Sequence, residues 1–182
     1  MSEKLPSEVY AVFCGAIDQA AVQRILNSLT TASSCEVQHL HLAFQSNGGM
    51  IGDGICLYNI FKRLPFGLTL YNTGAVSSVG VIAFLGAKER KASAHASFMI
   101  HRARNALVSA NSELFESGAQ SLRLDDNRLE AVWRENINLK RGKWVTARRP
   151  ERHFTAQDAL SIGLVGEIAE FSPPFGGRLY NI

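Results

Sequence analysis

An α/β fold with a mostly parallel sheet, flanking helices and one long helix is predicted from three features of the chain. Short apolar runs that suit strands alternate with segments whose apolar residues recur at helical spacing. Strand–helix–strand units repeat along the chain, which implies a parallel sheet with right-handed crossovers. The 182 residues suit one domain with a sizeable core and leave no room for two. We therefore treat 1–182 as a single domain, with 1–8 expected as a flexible N-terminus and 170–182 as an extended, peripheral tail.

The elements follow in order. Val9 to Cys14 reads as a first strand. Asp18 is a good helix N-cap, and Val22, Ile25, Leu26 and Leu29 follow at helical spacing. Val37 to Phe44 is a second strand, ending in the turn signal Ser46-Asn47-Gly48-Gly49. Ile51, Ile55, Ile60, Phe61 and Leu64 predict a second helix closed by Pro65. Leu68 to Tyr71 is a third strand, and Gly74 to Ser78 a turn. Val79 to Leu85 is a small helix so apolar that it must be buried. Arg90 to Ala92 and Phe98 to Ile100 read as short strands. From about Asn111 to Leu139 runs a long charged helix with room for a break near Asp125. Its apolar residues include Leu114, Phe115, Leu122, Leu129, Val132 and Trp133. A basic loop from Trp144 to Arg152, a short helix from Thr155 to Ile162 and a strand from Leu164 to Ile168 complete the pattern.

Composition excludes several function classes. Hydrophobic content of 46% and charged content of 19% are ordinary for a globular chain, which argues against a disordered or fibrous protein. No apolar run is long enough to span a bilayer, and Met1 to Ser7 lacks a secretory leader's apolar stretch, so a cytoplasmic location and no membrane partner are expected. The three cysteines are odd in number and form no C-x-x-C pair. They read as reduced thiols, with Cys14 and Cys56 expected to be buried. The net charge of +3 is weak. Arg148, Arg149 and Arg152 cluster, but no interleaved aromatics accompany them, so a solvated loop is expected rather than a nucleic-acid site.

Both glycine-bearing turns fall where loops leave the carboxyl ends of parallel strands, the place where chemistry gathers in such sheets. Ser78 sits at the mouth of the buried helix after a tight turn. It suits either an exposed nucleophile or a plain N-cap, a role Ser77 could also fill. Gly48 and Gly49 offer backbone N–H groups without side-chain obstruction, or simply a turn. His101 ends an apolar strand and could take a proton from a serine, or sit hydrogen-bonded at the core's rim. Glu151 could orient that imidazole, or form a surface ion pair with Arg149 or Arg152. His39 and His41 share a strand face as metal ligands might, yet no third ligand accompanies them, so structural roles are expected. His95 and His153 read as surface residues.

Together and in order, these segments resemble the proteolytic subunit of the Clp protease, whose fold is shared with the crotonases. The resemblance runs from about Val9 to Ile168. The family's apolar strand and Ser/Pro-Gly-Gly turn correspond to Leu42 through Gly49. Its Gly-x-Ala-Ala-Ser-Met-Gly turn corresponds to Gly74-Ala75-Val76-Ser77-Ser78-Val79-Gly80. Its Gly-x-Lys-x-Arg segment and Met-Ile-His strand correspond to Gly86 through Arg90 and to Met99-Ile100-His101. Its last motif corresponds to Glu151 through Ala159 and Gly163 through Gly166.

The resemblance implies ClpP/crotonase-like repeated β-β-α units and a handle-like long helix. It implies a serine-type endopeptidase in which Ser78 is the nucleophile, His101 the base and Glu151 the third member. The N–H groups of Gly49 and Val79 would form the oxyanion hole, with Gly48 against the substrate. It also implies a peptide or unfolded-protein substrate and a homo-oligomeric ring in which the long helix packs. No metal or other cofactor is implied. The chain has no Gly-x-x-x-x-Gly-Lys-Ser/Thr loop, so any ATPase would be a separate partner.

Three departures matter. Glu151 stands where the family has Asp. Arg102-Ala103-Arg104-Asn105 replaces a Gln-Pro and glycine-rich stretch. Only about eight residues precede the first strand, where the family has a segment that lines an axial pore and meets an ATPase ring. These departures support a second reading, a catalytically silent subunit acting as scaffold. A third, an acyl-CoA enzyme of the crotonase type, gives Ser78 and His101 no role.

Overall fold

A computed structural model describes residues 5–104, 111–139 and 151–182. The expected basic loop lies mostly outside the described residues, as do residues 1–4 of the N-terminal segment. The elements are β1 (Glu8–Cys14), α1 (Gln19–Ser34), β2 (His39–Ser46), α2 (Ile51–Phe61), β3 (Gly67–Ser77), α3 (Val79–Phe84), β4 (Glu89–Ala92), β5 (Ser97–His101), α4 (Ser112–Asn136), β6 (Glu151–Thr155), α5 (Ala156–Ser161), β7 (Glu167–Ile168) and β8 (Leu179–Asn181). They form a mixed α/β fold around one sheet, ordered β6-β5-β3-β2-β1-β8, with β4 and β7 branching from β3. Every pairing is parallel except β5 with β6.

The parallel core follows from the sequence pattern. Strands β1 and β2 pair from Glu8 with His39 to Cys14 with Gln45. Helix α1 begins at Asp18, whose carboxylate accepts the Ala21 N–H at 2.8 Å and caps an otherwise unpartnered donor. Its buried face is Ala21, Val22, Ile25, Leu29 and Ala32. All six residues of α3 are buried, as its composition demands. Phe13 stacks on Phe44 at a centroid separation of 5.3 Å, Phe44 lies tilted to Phe84 at 6.2 Å, and Phe84 meets Phe98 edge to face at 5.5 Å, a row running from β1 through β2 and α3 to β5. This aromatic row is the floor on which α3 rests. Burying each such ring stabilises the fold by about 1.5–3 kcal/mol.

Several details differ from the sequence reading. Residues 73–77 continue β3 instead of forming a turn. The strand changes partners midway: Thr69–Asn72 pair with β4, and Ala75–Ser77 with β5. Asn72 makes the fork possible. Fully buried, it donates to the Ser97 carbonyl at 2.8 Å and accepts the Gly74 N–H at 3.0 Å. Helix α4 runs through Asp125 without a break. Glu151 and Arg152 belong to β6, not to a loop. The tail ends in β8, which pairs with β1.

Cys14 is exposed and Cys56 only partly buried, against expectation. In β1 the inward residues are Val9, Ala11 and Phe13, so alternation turns Cys14 outward. Cys56 precedes the buried pair Leu57 and Tyr58 and packs against the core from the margin of the buried face of α2. His39 and His41 are structural. His39 bonds Thr69 at 2.8 Å, His41 meets the Tyr71 hydroxyl at 3.2 Å, and the rings stack with Tyr10. Among the described residues, no group of three His, Cys, Asp or Glu side chains is placed to hold a metal.

Among the described residues, the side-chain hydrogen bonds and ion pairs that tie helix α4 to the rest of the fold lie in its C-terminal half. Its buried residues are Gly118, Leu129 and Trp133. Tyr58 of α2 donates to Glu135 at 3.1 Å, Asn136 donates to the Tyr58 hydroxyl at 3.2 Å, and Lys62 pairs with Glu135. Towards its other end Leu114, Phe115 and Leu124 are exposed.

Candidate active site

The β2–α2 turn, the β3–α3 junction and the end of β5 meet at one end of the sheet. Ser78 joins β3 to α3 with φ 56° and ψ −131°. A non-glycine residue in the left-handed region is strained by about 1–3 kcal/mol and persists only where its surroundings fix it. Here they do. The Ser78 N–H donates to the Met99 carbonyl of β5 at 2.7 Å, and the Ser78 carbonyl accepts the Val81 N–H at 3.1 Å. Its side chain makes no capping hydrogen bond, so the plain N-cap role is not in use. Val79, the first residue of α3, has a backbone N–H with no partner within the helix.

Gly48 lies directly against Ser78. It has φ 99°, and a Cβ placed on it would stand 2.6 Å from Ser78 Cβ and 3.1 Å from Ser78 Oγ. Only glycine meets both conditions. The buried Ser46 hydroxyl accepts the Gly48 N–H at 3.1 Å and fixes the turn. Beyond it, the Ile17 N–H donates to the Gly48 carbonyl at 2.9 Å, and the Met50 N–H to the Ile17 carbonyl at 2.8 Å. In a parallel pairing of this kind the residue between the two contacts turns its own N–H to the opposite side. The Gly49 N–H therefore points away from Ile17. The spacing is tight, since a Cβ on Gly49 would come within 2.1 Å of the Ile17 carbonyl oxygen.

His101 is the last residue of β5, two beyond the Met99 carbonyl that holds Ser78. Its Nδ1 faces the Arg102 carbonyl oxygen. A carbonyl only accepts, so in the neutral ring that contact selects the tautomer with its proton on Nδ1 and Nε2 as acceptor. Among the described residues, Ser78 Oγ and the His101 ring make no direct hydrogen bond in this arrangement. Hydrogen bonds of this kind often close only when substrate is bound.

Glu151 stands opposite His101 in the antiparallel β5–β6 register. Its carboxylate, however, meets Arg104 Nη2 at 2.7 Å and His153 Nε2 at 3.5 Å. Arg104 holds its carboxyl below the usual range, with His153 adding a smaller effect. Among the described residues its ion-pair partners are thus Arg104 and His153, not Arg152; Arg149 lies outside the described residues. Arg152 instead lies over the Phe154 ring at 5.3 Å. The segment after His101 is held from a second side, where the Ala103 N–H donates to Asp126 of α4 at 2.8 Å. The sequence reading missed the roles of Ser46, the Arg102 carbonyl and Arg104. The signal for Arg104 was its place in a segment that departs from the Gln-Pro and glycine-rich pattern.

The Clp protease family model matches residues 1–172. The chain is 26% identical over 176 residues to the ATP-dependent Clp protease proteolytic subunit 2 of Thermobifida fusca, covering 92% of this chain and 84% of that protein. Its fold resembles that of a ClpP1 point mutant from Listeria monocytogenes, with a TM-score of 0.77 and 19% identity over 91% of this chain and 92% of the other.

Proposed function

The chain belongs to the Clp protease family, and from that premise we propose that it is a serine-type peptidase whose nucleophile is Ser78. In this reading the Ser78 hydroxyl attacks a peptide carbonyl while His101 Nε2 accepts its proton. The tetrahedral oxyanion rests on the N–H groups of Gly49 and Val79. His101 then protonates the leaving amine, and water hydrolyses the acyl-enzyme by the same path in reverse. Gly48 lets the substrate backbone approach the hydroxyl. Glu151 is the third member when it reaches the imidazole, and the Arg102 carbonyl orients the ring otherwise.

The observation that carries the proposal is the strained Ser78 backbone beside Gly48, with an uncapped hydroxyl at the start of a buried helix. Strain of this kind is costly and has no structural use here, because a glycine would form the same turn without it. A fluorophosphonate probe tests the reading. Wild-type protein should label at Ser78, and both Ser78→Ala and His101→Ala should abolish labelling while remaining folded. A folded wild-type protein that resists the probe would instead support the silent-subunit reading. That reading draws on Glu151 being bound to Arg104.

The exposed Leu114, Phe115 and Leu124 on α4 support assembly of several copies through this helix, in a homo-oligomeric ring. Peptides or unfolded proteins are the substrates, and any unfolding motor is a separate chain. Among the described residues no helix is long and apolar enough to cross a membrane.

A further inference from the structure

We propose that Arg104 is a positioning residue that holds the hydrolytic site in a restrained state, by keeping the Glu151 carboxylate off the His101 imidazole. The inference rests on the Ser78–His101 reading and goes beyond it, because it assigns control of the site to a residue of the divergent segment.

Three observations carry it. First, His101 and Glu151 are direct cross-strand partners. Side chains so paired share a face, with Cβ atoms about 4.5–5.5 Å apart, so the carboxylate needs only a side-chain rotation to reach the ring. Second, the carboxylate is turned away. One oxygen lies 2.7 Å from Arg104 Nη2 and the other 3.5 Å from His153 Nε2. Third, His101 Nδ1 meets the Arg102 carbonyl in its place. A neutral carbonyl fixes the same tautomer as a carboxylate does. It gives less support to the imidazolium that forms when the serine proton arrives.

The restraint is built to give way. The side chains of Arg104 and Glu151 are 61% and 37% exposed. An exposed ion pair biases an equilibrium by only about fivefold, and less as salt rises. The Arg104–Glu151 and Glu151–His101 states therefore lie close in free energy, and whatever takes Arg104 away shifts the balance. An anionic side chain of a bound peptide beside the scissile bond is suited to do so. Substrate binding would then complete the base at the moment it is needed.

The test compares wild type, Arg104→Gln, Glu151→Gln and the double variant. Fluorophosphonate labelling of Ser78 should quicken by about two- to fivefold in Arg104→Gln. The gain should vanish in the double variant. Raising salt should speed wild type and leave Arg104→Gln unchanged. An equal or slower rate in folded Arg104→Gln would overturn the proposal. A second measurement, made in the Ser78→Ala background, is independent of chemistry. A downfield Nδ1–H proton resonance of His101 should appear with Arg104→Gln and be lost on adding Glu151→Gln. If no variant labels but the resonance appears, the hydrolase reading fails and the restraint stands. If wild type labels but the resonance does not respond to Arg104→Gln, the restraint fails alone.

Discussion

Replacing Gly48 by alanine should disable the site more than it weakens the fold. The added Cβ would stand 2.6 Å from Ser78 Cβ. Carbon atoms in ordinary contact lie about 3.5–4.0 Å apart, so one group must move by roughly 1 Å. Neither side yields easily. Ser78 is tied to Met99, and Gly48 is tied through Ser46 and Ile17. A non-glycine residue at φ 99° adds strain of about 1–3 kcal/mol, and crowding adds about 1–3 kcal/mol. The unfolding free energy should therefore fall by about 2–6 kcal/mol. The rate should fall further, because a misplacement near 1 Å costs on the order of 10²-fold. Urea unfolding gives the first quantity, and the rate of fluorophosphonate labelling in the folded protein gives the second. Gly52→Ala is the matched control. A Cβ there meets nothing within 4 Å, in the first turn of α2. It should gain up to about 1 kcal/mol and label at the wild-type rate. Wild-type labelling by Gly48→Ala would refute the contact between the turn and the nucleophile.

Other substitutions probe the frame and the site separately. Ser78→Gly should abolish labelling yet raise stability by about 1 kcal/mol in urea melts, since relief of backbone strain exceeds the added chain entropy of glycine. Arg90→Ala should lower stability by about 3 kcal/mol, because its guanidinium donates to the carbonyls of Ala87, Leu164 and Gly163 at 2.7, 2.9 and 3.2 Å; Arg90→Lys should recover only part of this. Burial, and then the neighbouring His39, push the His41 imidazole below its ordinary value of 6.5. The unfolded chain thus binds that proton more tightly, so the contribution is complete above about pH 6.5 and is lost as pH falls below it. The urea midpoint should drop between about pH 7.5 and pH 5.5, and His41→Phe should flatten that part of the profile.

The parallel core was legible because its strands are short apolar runs and its helices keep a strict apolar face. Buried α3 was visible for the same reason, since nothing in Val79 to Leu85 tolerates water. The fork in β3 was not legible. A polar Asn72 followed by Thr73 and Gly74 reads as a turn, and only the carbonyl of Ser97, 25 residues away, satisfies it in a strand. The strand β6 was hidden because only Phe154 of its five residues is buried, too little alternation to register. Cys14 was misread although the parity of β1 already turns it outward. Ser78, Gly48 and His101 could be picked out as candidates from motif order. The role of Arg104 depends on a cross-strand register that no local pattern encodes.

The site divides into two halves of different mechanical character. Ser78, Gly48, Gly49 and Val79 are fixed by backbone hydrogen bonds, close glycine contacts and the Phe44–Phe84–Phe98 floor. There the strain at Ser78 is held by the core, so substitutions should change stability and rate together. His101, Arg102, Arg104 and Glu151 lie at the rim, where the ion pair between Arg104 and Glu151 is exposed and screened by solvent. There substitutions should change rate with little effect on stability. The consequence is a sharp test of coupling. Changes in unfolding free energy for Gly48→Ala and Arg104→Gln should add to within about 0.5 kcal/mol, because no described contact joins them. Their effects on labelling should not add, because a displaced Ser78 cannot use a better-oriented His101. In the proposed mechanism this division would pair a rigid nucleophile with an adjustable base, so that the fold keeps its core while the chemistry is restrained from the edge.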